Sequence, residues 1–479
     1  MRIIGNDPNT PRQTQVVASG TLSTGDTVVV NSDGTVSAIS ESSGTQSTGT
    51  MTEFDTGNVQ HLDACFDSNA GKVVIVYEEG SGGDGTAIVG TVSGSTISFG
   101  TAAVFYNGTS GTSWLGCDFD STNNKVVIAY RDLDNGKGKA VVGTVSGTSI
   151  SFGTTVEFES SDANYNSVTF DPVAGKTVIS YSDGNNSNYG TSIVGTVSGT
   201  SISFGSPVVF ESANTVFIQS TFDSTNNKVL ITYEQGGLHD GFAIAGTVSG
   251  TSISFGNRNK WLAGTVTYSD ITHDPDSGNF VVVYDSGTLN AIVGTVSGDN
   301  ITYGTALSIT STSVDRVRSV YNAAAKKHIV LWNEGADPYE LRIVELAVDG
   351  TSVSKGTITD LNSDDNSYPA ITYDSTNKAA VAVFNDFGNG DDGQAIVYTS
   401  EYTVTNLTAE NFIGTVQTGA ADGNHVVVNI IGAIDENQTG LTAGQSYYVQ
   451  NDGSLGTTAD APSVFAGTAV SATKLIVKG

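Results

Sequence analysis

The stretch VVGTVSGTSISFG at 141–153 decides the fold, because the chain keeps returning to it. Close copies stand at 88–100, 193–205, 244–256 and 292–304, and a degraded one, IVELAVDGTSVSKG, at 343–356. In each copy an apolar run leads to a tight turn at Gly, and apolar and polar residues then alternate, as Ile150 and Phe152 do between serines. That is the pattern of a β-hairpin. A second phrase keeps step with the first: an aromatic-Asp pair, a polar turn, an apolar run and another aromatic. It reads FDSNAGKVVIVY from Phe66, FDSTNNKVVIAY from Phe119, FDPVAGKTVISY from Phe170 and FDSTNNKVLITY from Phe222. It continues as HDPDSGNFVVVY from His273, YNAAAKKHIVLW from Tyr321 and YDSTNKAAVAVF from Tyr373. Seven copies about 50 residues apart predict a repeat of four strands, the period of a β-propeller blade.

The expected fold is therefore all-β, a seven-bladed propeller over 46–404, carried on a small β base built from 1–45 and 405–479. Within a blade the innermost strand ends at the aromatic-Asp pair. The second strand is a continuous apolar run such as Val126–Tyr130, as a strand covered on both faces requires. The third carries AIVGTVSG and the fourth SISFG. Residues 47–54 (STGTMTEF) resemble the outer strand of the later repeats, and the last repeat has one strand too few. Ring closure by 47–54 accounts for both and removes the open sheet edges. The aspartates of the phrase read as turn-makers, each with an exposed lysine partner in the four repeats that have Lys72, Lys125, Lys176 or Lys228.

The flanks break the period. GDTVVVNSDGTVSAI in the lead-in and GQSYYVQNDGSLGTT near the end share a pattern of short strands around Asp33-Gly34 and Asp452-Gly453 turns, so the two ends are expected to fold together.

With 20 basic and 49 acidic residues the net charge is −29, which excludes nucleic acid as an expected partner. Abundant Gly (57) with scarce Pro (8) is a turn-rich globular composition. Cys65 and Cys117 precede the aromatic-Asp pair at different offsets, so their side chains are read as pointing to opposite faces, as free buried thiols. The opening MRIIGNDPNT carries no apolar run of a signal peptide, and no stretch is apolar over 18 residues. The expectation is synthesis in the cytoplasm without a cleaved leader and without membrane insertion.

The turns inside the first and last hairpins are nearly identical across repeats, whereas those on the other face vary, from EEGSGGDG to RDLDNGKG to NDFGNGDDG. Diverse loops on a repetitive scaffold mark the face that meets a ligand. That face carries Tyr106, Trp114, Tyr165, Tyr189, Trp261 and Tyr368, whose flat faces suit a sugar or a protein; the competing reading is that several plug gaps between blades. Asp132 and Asp134 have the flavour of a Ca²⁺ loop without completing its spacing, so no cofactor is expected beyond that one candidate ion. An enzyme is not expected: there are seven arginines, no sialidase-type box, no His spacing for a metal and no nucleophile elbow.

AENFIG at 409–414, GLTAGQSYYVQNDGSLGTT at 440–458 and AGTAVSATKLIVKG at 466–479 resemble the ends of tail-fibre-like and other appendage proteins of marine, especially cyanobacterial, phages. TLSTGDTVVVNSDGTVSAI at 21–39 resembles their beginnings, and the GTVSGTSISFG repeats resemble propeller repeats found in some of them. The resemblance implies a virion structural protein, a fibre, tip or head decoration on the virion surface. Its partners would be other virion proteins, further copies of itself (a trimer is common among appendages) and a host-surface glycan or protein. It carries over no catalytic residue. The alternatives are a purely structural decoration without a receptor, a virion-associated glycan-degrading enzyme, and a non-viral surface adhesin.

Overall fold

In the computed structural model residues 12–478 are described, so the opening decapeptide read for a leader lies outside the described residues. The chain is all-β: 63% of it is strand, in antiparallel sheets, with no α-helix among the described residues. No helix is long and apolar enough to cross a membrane. The chain divides into two compact units, one of residues 1–44 with 401–479, the other of 45–400.

In the terminal unit both chain ends enter one five-stranded sheet. Its order is Gln13–Val17, His425–Asn429, Phe412–Thr418, Thr27–Val30 and Val36–Ala38. The Asp33-Gly34 turn joins the last two, with Val28 opposite Ala38, and the Asp33 carboxylate accepts from the Thr35 amide at 2.9 Å. A second five-stranded sheet contains Ser446–Val449, Val464–Ser471 and Lys474–Val477. Tyr402–Thr405 pairs with Glu41–Gly44.

The second unit holds the repeats. Repeat one is Val59–Asp67, Lys72–Glu79, Asp84–Ser93 and Thr96–Phe99, each antiparallel to the one before. A further strand, Ala103–Tyr106, pairs with the same third strand beyond a break at Gly100. The outer strand is thus one strand bent in two, and TAAVF completes its own repeat. The other repeats follow this plan, except that Ser47–Thr48 and Thr52–Asp55 supply the bent outer strand for the third strand of repeat seven, Asp392–Thr399.

The second strands are buried almost end to end, as Lys125–Asp132 shows. The core is a series of layers between successive repeats, one containing Val74, Val76, Val126, Ile128 and Tyr130. Cys65 and Cys117 lie in that same layer. They do point to opposite faces of their own sheets. Because one sheet stacks on the next, those faces meet, and the two buried thiols come within hydrogen-bond range of one another. Both remain thiols.

The aspartates of the repeat phrase are turn-makers, but buried ones. Asp67 accepts from the amides of Asn69 and Ala70 at 3.0 and 2.8 Å, and Asp120, Asp171, Asp223, Asp274 and Asp374 do the same in their turns. Buried within their own turns, they form no ion pair with the lysines five residues on among the described residues; Lys228 instead faces Asp299 at 3.7 Å.

Candidate functional site

Each first strand carries one residue six positions before its Asp or Asn: His61, Trp114, Tyr165, Phe217, Tyr268, Arg316 and Tyr368. All seven are half-buried. In every repeat but the fifth the pairing slips here, two residues on the first strand opposing one on the second, as between Gln60 and Asp63. Such a bulge turns a side chain away from where strand alternation would aim it. His61, Trp114, Tyr165, Phe217 and Tyr368 take φ of 50 to 55°, and Arg316 takes 147°. Left-handed backbone costs an L residue on the order of 1–3 kcal/mol, and clusters of it mark functional sites.

The seven side chains meet in sequence. His61 lies 6.0 Å from Trp114, Trp114 4.1 Å from Tyr165, Tyr165 5.5 Å from Phe217 and Phe217 5.1 Å from Tyr268, ring centre to ring centre. The Tyr268 hydroxyl donates to Asp315 at 3.2 Å, the neighbour of Arg316. The Arg316 guanidinium stacks 4.1 Å over Tyr368, which returns to His61 at 5.2 Å. These residues stand at the start of the first strands, the end from which the variable loops spring.

Five of the seven also line a cavity of about 790 Å³ whose wall is made by the first strands of all seven repeats. The volume is in the range of sites that bury a small ligand. Below the aromatics the wall is polar, with Asp63, Asp118, Asp270, Gln219, Arg318 and several Ser and Thr. Three carboxylates are engaged sideways by the next repeat. Asp63 accepts from the Cys117 amide at 2.8 Å, Asp118 from the Phe170 amide at 2.7 Å, and Asp270 from the Ser319 amide at 2.5 Å. Burial pushes the Asp63 and Asp118 carboxyls up to about 6 and raises that of Asp270. Burial, with Arg316 beside it, holds His61 down at about 4, so at neutral pH this imidazole is uncharged.

Two buried polar atoms on residues of the wall have no hydrogen-bond partner among the described residues: Asn166 Oδ1 and Ser269 Oγ, on residues 7% and 2% exposed. An unpaired buried polar atom costs about 1–3 kcal/mol.

Of the aromatics singled out in the sequence, Trp114, Tyr165 and Tyr368 belong to this circuit. Trp261 does not: it is 7% exposed and sits in the core. It fills over Gly241 the slot that Phe54, Phe105, Phe158 and Phe210 fill over Gly393, Gly85, Gly138 and Gly190. Tyr189 is half-buried in a third strand, apart from the ring. Tyr106 donates to both Asp132 and Asp134.

The Ca²⁺ reading of Asp132 and Asp134 meets the same contacts. Asp132 is buried and ion-paired with Lys139. Asp134 takes the Thr109 hydroxyl at 2.6 Å and the Ser110 amide at 2.8 Å, and the Thr109 and Tyr106 bonds hold its carboxyl below the ordinary range. Both carboxylates are engaged by protein donors that tie the loop. No cluster of three or more metal-ligating side chains occurs among the described residues.

His61, Phe217, Tyr268 and Arg316 were not singled out in the sequence. The signal was present as a fixed offset of six residues before each Asp or Asn.

No family model matches the chain, and no curated protein does. Among solved structures, the crystal structure of a triple arginine-to-alanine mutant of AofleA from Arthrobotrys oligospora is similar with a TM-score of 0.42 at 9% identity, covering 69% of this chain and 94% of that one.

Proposed function

We propose that the seven repeats are the blades of one closed propeller, and that the aromatic ring at its mouth binds a host-surface glycan on behalf of a phage virion. What carries the reading is the ring itself: seven side chains from seven repeats, six of them flat rings, gathered at one end of a polar cavity, with six of the seven on strained backbone. Apolar sugar faces stack on such rings while hydroxyls need donors and acceptors below them. Closure is supported by the contact circuit that returns from Tyr368 to His61 and by the pairing of Ser47–Thr48 and Thr52–Asp55 with repeat seven. The terminal unit, whose sequence resembles phage appendage proteins, would attach the protein to the particle.

Tryptophan fluorescence tests the ligand directly, because Trp261 and Trp332 are buried and Trp114 is the half-buried one. Surface polysaccharide from marine cyanobacterial cells should shift emission and shield it from acrylamide, and Trp114→Phe should abolish both effects. Binding with Trp114 emission unchanged would move the site elsewhere.

A further inference from the structure

We propose that the cavity takes an acidic sugar, a uronate-type residue whose carboxylate is held by Arg318 while its ring lies against the aromatic mouth. This rests on the glycan reading above and names the ligand class for that site.

The argument begins with charge. The chain has 20 basic residues against 49 acidic, so two arginines on one strand facing one cavity stand out from the background. Arg316 and Arg318 replace, in repeat six, the ring residue and the residue two positions on. The other repeats carry at that second position Asp63, Gly116, Ser167, Gln219, Asp270 and Ala370. Arg316 is partly engaged: it stacks on Tyr368, donates to Ser367 Oγ at 2.9 Å and faces Asp315 at 3.4 Å. Arg318 donates to its neighbour's carbonyl, Val317 O, at 2.9 Å and has no carboxylate at ion-pair distance among the described residues. Its charge is felt by Asp63 and Asp270, whose carboxyls it draws down against burial, but those carboxylates are bonded to the amides of the next repeat.

The result is a half-buried guanidinium with most of its five N–H groups free to meet a ligand. A guanidinium fork matches a carboxylate with two parallel hydrogen bonds. The Gln, Ser and Thr side chains of the same wall provide for hydroxyls. Aromatic rim, guanidinium and polar wall together describe a sugar ring that carries a carboxylate.

Calorimetry with an oligogalacturonate, and with the same oligosaccharide after its carboxyls are reduced to alcohols, separates the possibilities. The acidic form should bind roughly tenfold tighter or more, the scale of a charge-assisted pair. Arg318→Gln should bring the two forms to within about threefold, with Arg318→Lys between, since it keeps the charge and loses the fork. Unchanged melting of each variant would show that folding is not the cause, and if Arg318→Gln fails to fold, Arg318→Lys carries the comparison. Equal binding of both forms to the natural protein would overturn the acidic-sugar assignment and leave the glycan reading standing. Binding of neither, while host polysaccharide still shields Trp114, would overturn it too, since the cavity would then take another ligand class. A preference for the acidic form that survives in both Arg318 variants would remove the residue from the proposal.

Discussion

Phe54→Ala should destabilise the repeat unit by about 3–5 kcal/mol, the usual cost of truncating a buried phenylalanine. Phe54 is one residue of a four-residue strand, Thr52–Asp55, yet it is buried between Tyr77, 5.4 Å away, and Phe99, 5.7 Å away, both in repeat one. It also covers Gly393 of repeat seven, where an added Cβ would come within 2.5 Å of its ring. The side chain therefore ties the first repeat to the last. Truncating it opens a cavity at the seam and loosens the strand that covers the edge of repeat seven, so aggregation should rise along with the loss of stability. Urea unfolding followed by the tyrosine and tryptophan signal measures the first effect and light scattering the second. The equivalent change Phe158→Ala, inside the series of repeats, should cost a similar amount without the aggregation. A Phe54→Ala protein that unfolds at the natural urea midpoint would mean that the seam carries no load.

Gly153→Ala should be nearly as damaging, at about 3 kcal/mol or more, beyond ordinary overpacking because the obstacle is backbone. A Cβ on Gly153 would lie 1.7 Å from the carbonyl oxygen of Thr200, in the turn of the next repeat. The last Gly of the other close copies meets that turn too: an added Cβ would lie 1.8 Å from Thr148 O at Gly100, 1.9 Å from Thr251 O at Gly205, 1.9 Å from Thr351 O at Gly304 and 2.7 Å from Asp299 O at Gly256. A Cβ on Gly49 would lie 1.9 Å from Ser95 O, so the N-terminal strand makes across the seam the contact that the close copies make within the series. Gly356 is the useful exception. It ends the degraded copy, its nearest obstacle is 3.5 Å away, and Gly356→Ala should change stability by less than about 0.5 kcal/mol. Equal effects at 153 and 356 would refute the steric account.

Much of this scaffold was legible in the sequence because its signals are local. Turn residues at fixed offsets, an Asp that bonds its own turn, and apolar runs of strand length give the period and the strands. The outer strand at 47–54 was legible because its Phe repeats those at 105, 158 and 210. The same comparison would have placed Trp261, which takes the phenylalanine position in NKWL; read as an aromatic in a variable loop, it was assigned to the wrong environment. The ring was legible only in part. Trp114, Tyr165 and Tyr368 drew attention as aromatics, whereas His61, Phe217, Tyr268 and Arg316 did not. Strand alternation cannot aim them outside the fifth repeat, because a bulge inserts one residue and flips the faces beyond it. Asp132 and Asp134 show the opposite limit. Their spacing suggests a cation loop, and only the fold brings Lys139, Tyr106 and Thr109 to them. The two cysteines show how a correct local inference can mislead, since opposite faces of neighbouring stacked sheets are the faces that touch.

The central claim, that the ring is a host-recognition surface, is tested most directly by adsorption competition. Purified protein is added to host cells before phage, and free phage are counted with time. The account predicts dose-dependent blocking by the natural protein, and at least a tenfold higher dose for a Trp114→Ala/Tyr165→Ala variant that melts normally. Saturating natural protein that coats no cells and slows no adsorption, or a double variant that blocks as well as the natural protein, would contradict it.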